Sequence, residues 1–285
     1  MSGRLLEGRV AVVTGSTRGL GRAIARLYAE QGAAVVISSR SPDAVGSVVA
    51  ELQAAGHRAS GLKCDVTDPD QVQALGDHAL LTFGRLDIWV NNAGLSAPYG
   101  PTLSVPYPAF RASVESIVLG TYHGSRVALR HMRHTRGGRL INLLGRGDRR
   151  PVPYQNAYAA SKAWVRSFTL ALAREYRGEV GIYALNPGLV RTDLLLRPQA
   201  LDGYQERLAP LGTLIAWWAR PPEVAAQQAL RLAASAAHGR GGLEVQALTP
   251  AGMLGGLLRA EMQRLRGRAA ARVNPEVQTV RPDHF

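Results

Sequence analysis

The stretch from Arg9 to Glu30 constrains this chain more than any other. Val10 to Val13 form a short, β-branched apolar run of the kind a fully buried parallel strand needs. A turn follows in which Gly15, Gly19 and Gly21 are spaced G-x-x-x-G-x-G, with Thr17, Arg18 and Leu20 between them. Arg22 to Glu30 then carries apolar side chains at helical spacing, and Gly32 closes the segment. Strand, glycine turn and helix in that order build a phosphate site. The glycines let the backbone approach a pyrophosphate, and the helix N-terminus offers free N–H groups and a positive dipole end. The spacing differs from the common G-x-G-x-x-G dinucleotide fingerprint. Taken alone, the stretch leaves a glycine-rich turn without a ligand open.

Composition supports one large domain. With 285 residues and 46% hydrophobic content, the chain can bury a full core. No apolar run reaches the ~18–20 residues of a membrane span. Met1 to Glu7 lead into the first strand at once, so no signal peptide is expected and the expected compartment is the cytoplasm. Cys64 is the only cysteine, which excludes an internal disulfide and a multi-cysteine metal site. The net charge of +13 rests on arginines spread along the whole chain. Such spreading reads as a solvated surface; a nucleic-acid footprint concentrates on one face. Of the 34 basic residues only Lys63 and Lys162 are lysines. Each therefore calls for a chemical reason.

Strands and helices alternate every 20–30 residues with no break in composition and no internal repeat. Strands are expected at Ala33–Ser38, His57–Lys63, Leu86–Val90, Arg139–Leu144, Val180–Leu185 and Leu243–Leu248. Helices are expected over residues 42–55, from Ala109 to about Arg133, and around Tyr158. This alternation predicts a single Rossmann-type, doubly wound parallel sheet of about seven strands with helices on both faces. The second strand ends at Ser39-Arg40, where a carboxylate would bind a ribose 2′-hydroxyl and a basic residue would accommodate a 2′-phosphate. Ser39, Arg40 and Arg18 converge there and point to NADP(H). Asp65, at another strand end, could accept from an adenine amino group or cap the next helix. His131 and His134 lack acidic or thiol partners and read as solvated helix-end residues, so no metal is expected.

With these pieces in place the chain resembles the short-chain dehydrogenase/reductase family. The matching motifs are Thr14-Gly15-x-x-x-Gly19-x-Gly21, Asp65-Val66, Asn91-Asn92-Ala93-Gly94, Tyr158-x-x-x-Lys162 and Pro187-Gly188-x-Val190-x-Thr192. They occur in the family's order and cover residues 8 to about 248. The resemblance implies an NAD(P)(H)-dependent oxidoreductase acting on a small molecule, and a homodimer or homotetramer. It implies that the glycine turn binds pyrophosphate and that Asp65 and Val66 meet the adenine. It also implies that Asn92, Ala93 and Gly94 line the ribose, and that Val190 and Thr192 hold the nicotinamide amide. Tyr158 and Lys162 lie one helical turn apart and so share a face. A nearby cation favours the phenolate of a tyrosine that would otherwise titrate near 10. In the family this Tyr passes a proton to or from the substrate oxygen, while the Lys orders the ribose.

The chain departs from the family at two polar positions. The strand before the Tyr helix normally ends in two serines, and here Leu144 and Gly145 stand there. The long helix normally carries an Asn, and Ile117 stands in its place. Ser96, Tyr154 and Asn156 are possible replacements. Two readings therefore stay open: an oxidoreductase with an atypical site, and a nucleotide-binding protein with little redox turnover. Residues 1–250 read as the nucleotide-binding and catalytic domain, with a substrate lid at about 193–221 that carries Trp217 and Trp218. Residues 251–285 read as a C-terminal helical extension and tail. Leu254, Leu257, Leu258, Met262 and Leu265 form one apolar stripe there, suited to docking on this chain or a neighbouring subunit. Arg146, Arg149 and Arg150 border the expected cleft. They are either a steering patch for anionic substrates, with Asp148 offsetting one charge, or ordinary surface arginines.

Overall fold

The computed structural model describes residues 3–135, 137–235, 242–248, 255, 262 and 273–283. Strand β1 (Val10–Val13) lies at the centre of a parallel sheet. It pairs with β2 (Ala34–Ser39) on one side and β4 (Ile88–Asn91) on the other, in register Val10↔Ala34 and Ala11↔Ile88. With β3 (Ala59–Lys63), β5 (Arg139–Leu143), β6 (Gly181–Asn186) and β8 (Leu243–Gln246), the order is β3-β2-β1-β4-β5-β6-β8. The seven-stranded doubly wound sheet is the expected one. Its direction of winding reverses between β1 and β4, which opens a crevice at their C-terminal ends.

Alternation along β1 explains why the run must be apolar throughout. Ala11 and Val13 enter one core, with Ile24, Ala25 and Tyr28 of α1 (Gly19–Glu30) and Val45 and Val48 of α2 (Pro42–Ala54). Val10 and Val12 enter the opposite core, against Val72 and Leu75 of α3 (Pro69–Phe83). Each face loses its water to a helix layer, so no position in the strand tolerates a polar side chain.

Two strands start two residues later than the sequence predicts, and those expected from Ala33 and Val180 start one residue later. His57 N–H donates to Leu52 O, and Gly56 has φ +80, so residues 56–57 finish α2 before β3 begins at Ala59. Gly84, with φ +79, closes α3 in the same way, and β4 begins at Ile88, two residues after Leu86.

The long helix expected from Ala109 is interrupted. It comprises α4 (Tyr107–Val114), a π-helical turn (Glu115–Leu119) and α5 (Gly120–Thr135). Ser116 Oγ donates to Ser113 O and accepts from Leu95 N–H, while Ser113 Oγ donates to Leu95 O. These side-chain bonds draw the helix toward the 95–98 loop and compete with its own ladder. His131 is turned toward Asp77 (Nε2···Oδ1 3.9 Å) and is mostly buried, where a solvated ring was expected.

After α6 (Asn156–Glu175) and β6, the expected lid region folds as α7 (Asp193–Leu196), β7 (Gln199–Leu201) and α8 (Leu211–Trp218), followed by α9 (Pro222–Ala234). The tail adds an element the sequence did not announce. β9 (Gln278–Val280) pairs in parallel with β7, and Asp283 N–H donates to Ser104 O. Residues 273–283 therefore tie the stretch 196–202 to the 102–107 segment. The proposed apolar stripe falls almost wholly outside the described residues, and Met262, its one described member, is exposed.

Candidate active site

The turn after β1 is shaped for a close approach. Gly15 and Gly19 have φ +62 and +55, a region that favours glycine. A Cβ on Gly21 would fall well inside 3.0 Å of both Asn92 Nδ2 and Gly15 O. Neighbouring helices at this sheet edge are capped by their own chain: Ser41 accepts from Ala44 N–H, and Asp68 from Asp70 and Gln71 N–H. By contrast α1 begins after Arg18 with no side-chain cap and no acidic residue in its first turn. That leaves orphan N–H groups and a positive dipole end, the donor set that a pyrophosphate fits. Thr17 is half-buried in the turn, and Leu20 packs on the core below it.

The remaining motif residues converge on this edge. Thr14 Oγ1 accepts from Asn92 and Ala93 N–H, while Asn92 Nδ2 donates to Thr14 O and Gly15 O. Gly94 lies against Ile117. Val66 is buried, and its carbonyl meets His123 Nδ1 at 3.1 Å. Asp65 accepts from Thr67 N–H and Oγ1, and Asp68, not Asp65, caps α3. Pro187 and Gly188 (φ +72) turn the chain after β6, and Val190 is bridged to Arg220. Thr192 Cγ2 would lie 3.2 Å from a Cβ on Gly19, so the Pro187–Thr192 segment closes over the glycine turn. At the β2 end Ser39 is half-buried and Arg40 exposed. Arg18 is exposed and reaches Asp193 across 3.7 Å.

Tyr158 and Lys162 project together from α6. Lys162 is buried, and its Nζ donates to Leu143 O at 2.7 Å and lies 5.6 Å from the Tyr158 ring centre. Burial pulls the Lys162 ammonium down to about 8, partly opposed by the Asp148 carboxylate. Tyr158 packs with Ile117, Leu144, Val165 and Ala184. Its hydroxyl is pushed up to about 12 by burial, reinforced by Asp148.

At the position where the resemblance expects a serine, the structure supplies a steric reason for glycine. A Cβ on Gly145 would sit well inside 3.0 Å of Tyr158 Oη and 3.1 Å from Cζ. None of the three polar replacements reaches this hydroxyl. Ser96 bonds Ala97 O, and Asn156 is exposed. The Tyr154 ring lies between Tyr99 (5.6 Å) and Tyr204 (5.8 Å) with Arg207 over it, and its φ of +66 is unusual for a bulky residue.

Sequence reasoning missed a polar cluster beside the pair. Asp148 Oδ2 accepts from Asn186 Nδ2 (3.0 Å) and Gln246 Nε2 (3.4 Å), and Asn186 Nδ2 also donates to Gly145 O. Asp148 thus faces inward and does not offset the loop arginines. Arg149 is bound to Glu244, which also binds Arg166. Nothing in a single sequence joins these residues, because they come from a loop and two strands far apart.

Comparison with known proteins identifies the family. Residues 9–200 match the family model for short chain dehydrogenases. The chain is similar to a cis-4-hydroxycyclohexanecarboxylate dehydrogenase of Sinomonas cyclohexanicum, 38% identical over 225 residues, covering 78% of this chain and 88% of the relative. It is also similar to 3beta-hydroxysteroid dehydrogenase 1 of Eggerthella lenta, at 35% identity over 232 residues, covering 79% and 86%. A crystal structure from Beutenbergia cavernae, of a protein proposed to be an NAD(P)-dependent gluconate 5-dehydrogenase, holds NADP at low occupancy. It superposes with a TM-score of 0.74 at 31% identity, covering 89% of this chain and all of that one. Fold and site define a Rossmann-type nicotinamide-dependent oxidoreductase. The chain belongs to the short-chain dehydrogenase family. No helix among the described residues is long and apolar enough to cross a membrane, and no group of residues there could hold a metal ion.

Proposed function

We propose that this chain uses NADP(H) to interconvert a secondary alcohol on a saturated ring and the corresponding ketone, with Tyr158 as the proton-transferring acid/base. The observation that carries the reading is the Tyr158–Lys162 pair, one buried cation beside one phenol at the C-terminal edge of the sheet. The cofactor supplies hydride when bound. Gly15, Thr17, Gly19, Leu20 and Gly21 would hold its pyrophosphate, and Arg18, Ser39 and Arg40 its 2′-phosphate. Asp65 and Val66 would meet the adenine, and Asn92, Ala93 and Gly94 the ribose. Pro187, Gly188, Val190 and Thr192 would border the nicotinamide. Support for NADP(H) comes from two arginines and no carboxylate around the β2 end, and from NADP in a structural neighbour. Support for the ring substrate comes from two relatives named for cyclic alcohols. The same reading has the protein working in the cytoplasm as a homodimer or homotetramer.

Lys162 donates to the Leu143 carbonyl and keeps further N–H donors that a bound cofactor would take up, while its charge favours proton release from Tyr158. Ile117 and Leu144 exclude water around the Tyr158 ring. Turnover of NADPH with cyclohexanone, 4-oxocyclohexanecarboxylate and a 3-oxosteroid tests the proposal. Tyr158→Phe is expected to lower kcat/KM by about 10²–10⁴-fold. Absence of turnover across the panel, or equal rates in the variant, refutes it.

One observation favours a second reading, a nucleotide-binding protein with little redox turnover. The apolar surroundings hold the Tyr158 hydroxyl high, away from the range in which an acid/base works best at neutral pH. Tight NADPH binding without oxidation of any substrate distinguishes it.

A further inference from the structure

The loop from Gly145 to Asp148 departs most from the family pattern, yet it is the most heavily braced segment around Tyr158. Asp148 N–H donates to Gly145 O, closing a turn. Gly147, with φ +97, lies so close to α6 that a Cβ there would strike Ala159. Gly145 lies under the Tyr158 hydroxyl with no room for a side chain. The turn is held from two strands: Asn186, ending β6, donates to both Gly145 O and Asp148 Oδ2, and Gln246, ending β8, donates to Asp148 Oδ2.

We propose that Asp148 is a positioning residue of the reaction: clamped by Asn186 and Gln246, its carboxylate fixes the turn beneath the Tyr158 hydroxyl and gives the Tyr158–Lys162 pair a fixed negative neighbour. The proposal rests on the oxidoreductase reading and adds to it a residue outside the motif set. This carboxylate acts on Tyr158, Lys162 and Arg166, is linked through Gln246 to Glu244 and Arg149, and is flanked on its own loop by the exposed Arg146 and Arg150. Arg166 feels Asp148, but its Nε and Nη2 are both committed to Glu244 (3.0 and 2.8 Å), and Arg149 is bound to Glu244 as well. Two arginines thus share Glu244, and Asp148 takes its hydrogen bonds from neutral amides, which leave its negative charge to act on the Tyr158–Lys162 pair. That charge acts on both members of the pair in the same direction, toward the protonated form. Burial pulls the Lys162 ammonium down to about 8 and the carboxylate opposes that, so its removal moves Lys162 further toward the neutral form.

The chain has two lysines, so this can be read directly. Protein labelled with carbon-13 at lysine Cε gives two side-chain signals, and Lys63→Arg assigns them. In Asp148→Asn, whose amide oxygen can still accept from Asn186, the Lys162 midpoint is expected to fall by about half a unit to one unit while Lys63 stays put. In Asp148→Glu the midpoint should return to the wild-type value. The alkaline limb of kcat/KM for ketone reduction should move to lower pH in Asp148→Asn, since the acid form of Tyr158 is lost earlier. An unchanged Lys162 midpoint in Asp148→Asn, or equal shifts in the Asn and Glu variants, overturns the proposal. Should Asp148→Asn not fold, Gln246→Leu frees the carboxylate toward solvent. A smaller fall of the midpoint is then expected, and no fall counts against the clamp. The titration is read on resting protein. Failure of all substrates would therefore refute the oxidoreductase reading and leave this measurement to decide on its own.

Discussion

A serine at position 145 is what the family resemblance would place there, and the structure predicts that it does harm. A Cβ on Gly145 would lie well inside 3.0 Å of Tyr158 Oη, 3.1 Å from Cζ and 3.3 Å from Cε1. Rotation about Cβ–Cγ leaves Oη and Cζ where they are, and rotation about Cα–Cβ would swing the ring into its neighbours. The ring is confined in turn by Ile117, Leu144, Val165 and Ala184. Either α6 or the Gly145–Asp148 turn must give by something on the order of 1 Å, and a displacement of that size at a reacting atom costs about 10²-fold in rate. Overpacking of this kind destabilises by about 1–3 kcal/mol. For a chain of this size that lowers Tm by about 2–4 °C for each kcal/mol. Gly145→Ala and Gly145→Ser should both show the loss, with kcat/KM about 100-fold down, since the obstruction is the Cβ and not the hydroxyl. Thermal unfolding and steady-state NADPH oxidation check it. A Gly145→Ser protein with unchanged Tm and higher activity would refute the reasoning and show that the site has room for a serine.

Cofactor choice gives a second expectation. Arg18→Ala and Arg40→Ala should each weaken NADPH binding by about 10–100-fold, the loss of one charge-assisted phosphate contact, and leave NADH nearly unaffected; titration of both cofactors checks it. Glu244 gives a third. Burial alone would raise its carboxyl, but hydrogen bonds from Arg166, Arg149 and Gln246 and the charge of Arg166 outweigh that and hold it at about 2. Its folded value is depressed, so its stabilisation is present above pH 4.5 and is lost as pH falls from there toward 2. The shift corresponds to at most about 3 kcal/mol, and to roughly half that once the half-exposed Arg149 is allowed for. Glu244→Gln should therefore lower stability near neutral pH by about 1.5–3 kcal/mol, and the gap to wild type should close in acid denaturation below pH 3.

Much of this architecture is legible in the chain because it depends on local periodicity. Val10 to Val13 read as a doubly covered strand since both of its faces meet a helix layer, and the spacing of Tyr158 and Lys162 alone places them on one helix face. The glycine turn reads because φ near +60 leaves few other residues. What stayed hidden depends on partners remote in sequence. The π-helical turn arises from Ser113 and Ser116 bonding the loop at Leu95. The strand Gln278–Val280 is three residues long, and only its pairing with Gln199–Leu201 makes it a strand. Glycine at position 145 looks like a loss until the Tyr158 hydroxyl is seen in the space a side chain would need.

The arginine-rich loop shows how that remote pairing changes a functional inference. Read along the chain, Arg146, Arg149 and Arg150 form a basic mouth with one acid to dilute it. In space the acid faces inward, and Arg149 is bound to a carboxylate from another strand. Arg146 and Arg150 are exposed, so attraction of an anionic substrate falls to two charges in solvent, where salt screens them readily. Arg149 belongs instead to a continuous polar chain that runs through Glu244, Gln246, Asp148 and Asn186 to the carbonyl of Gly145. Each link satisfies a half-buried polar group that would otherwise be costly. The chain ends one peptide unit beneath the Tyr158 hydroxyl, so disturbing Glu244 loosens the same turn that a Cβ on Gly145 would displace. Glycine at position 145 and this network therefore serve one local arrangement. The space a side chain would fill is given to the phenol, and the backbone that carries it is held from the far edge of the sheet.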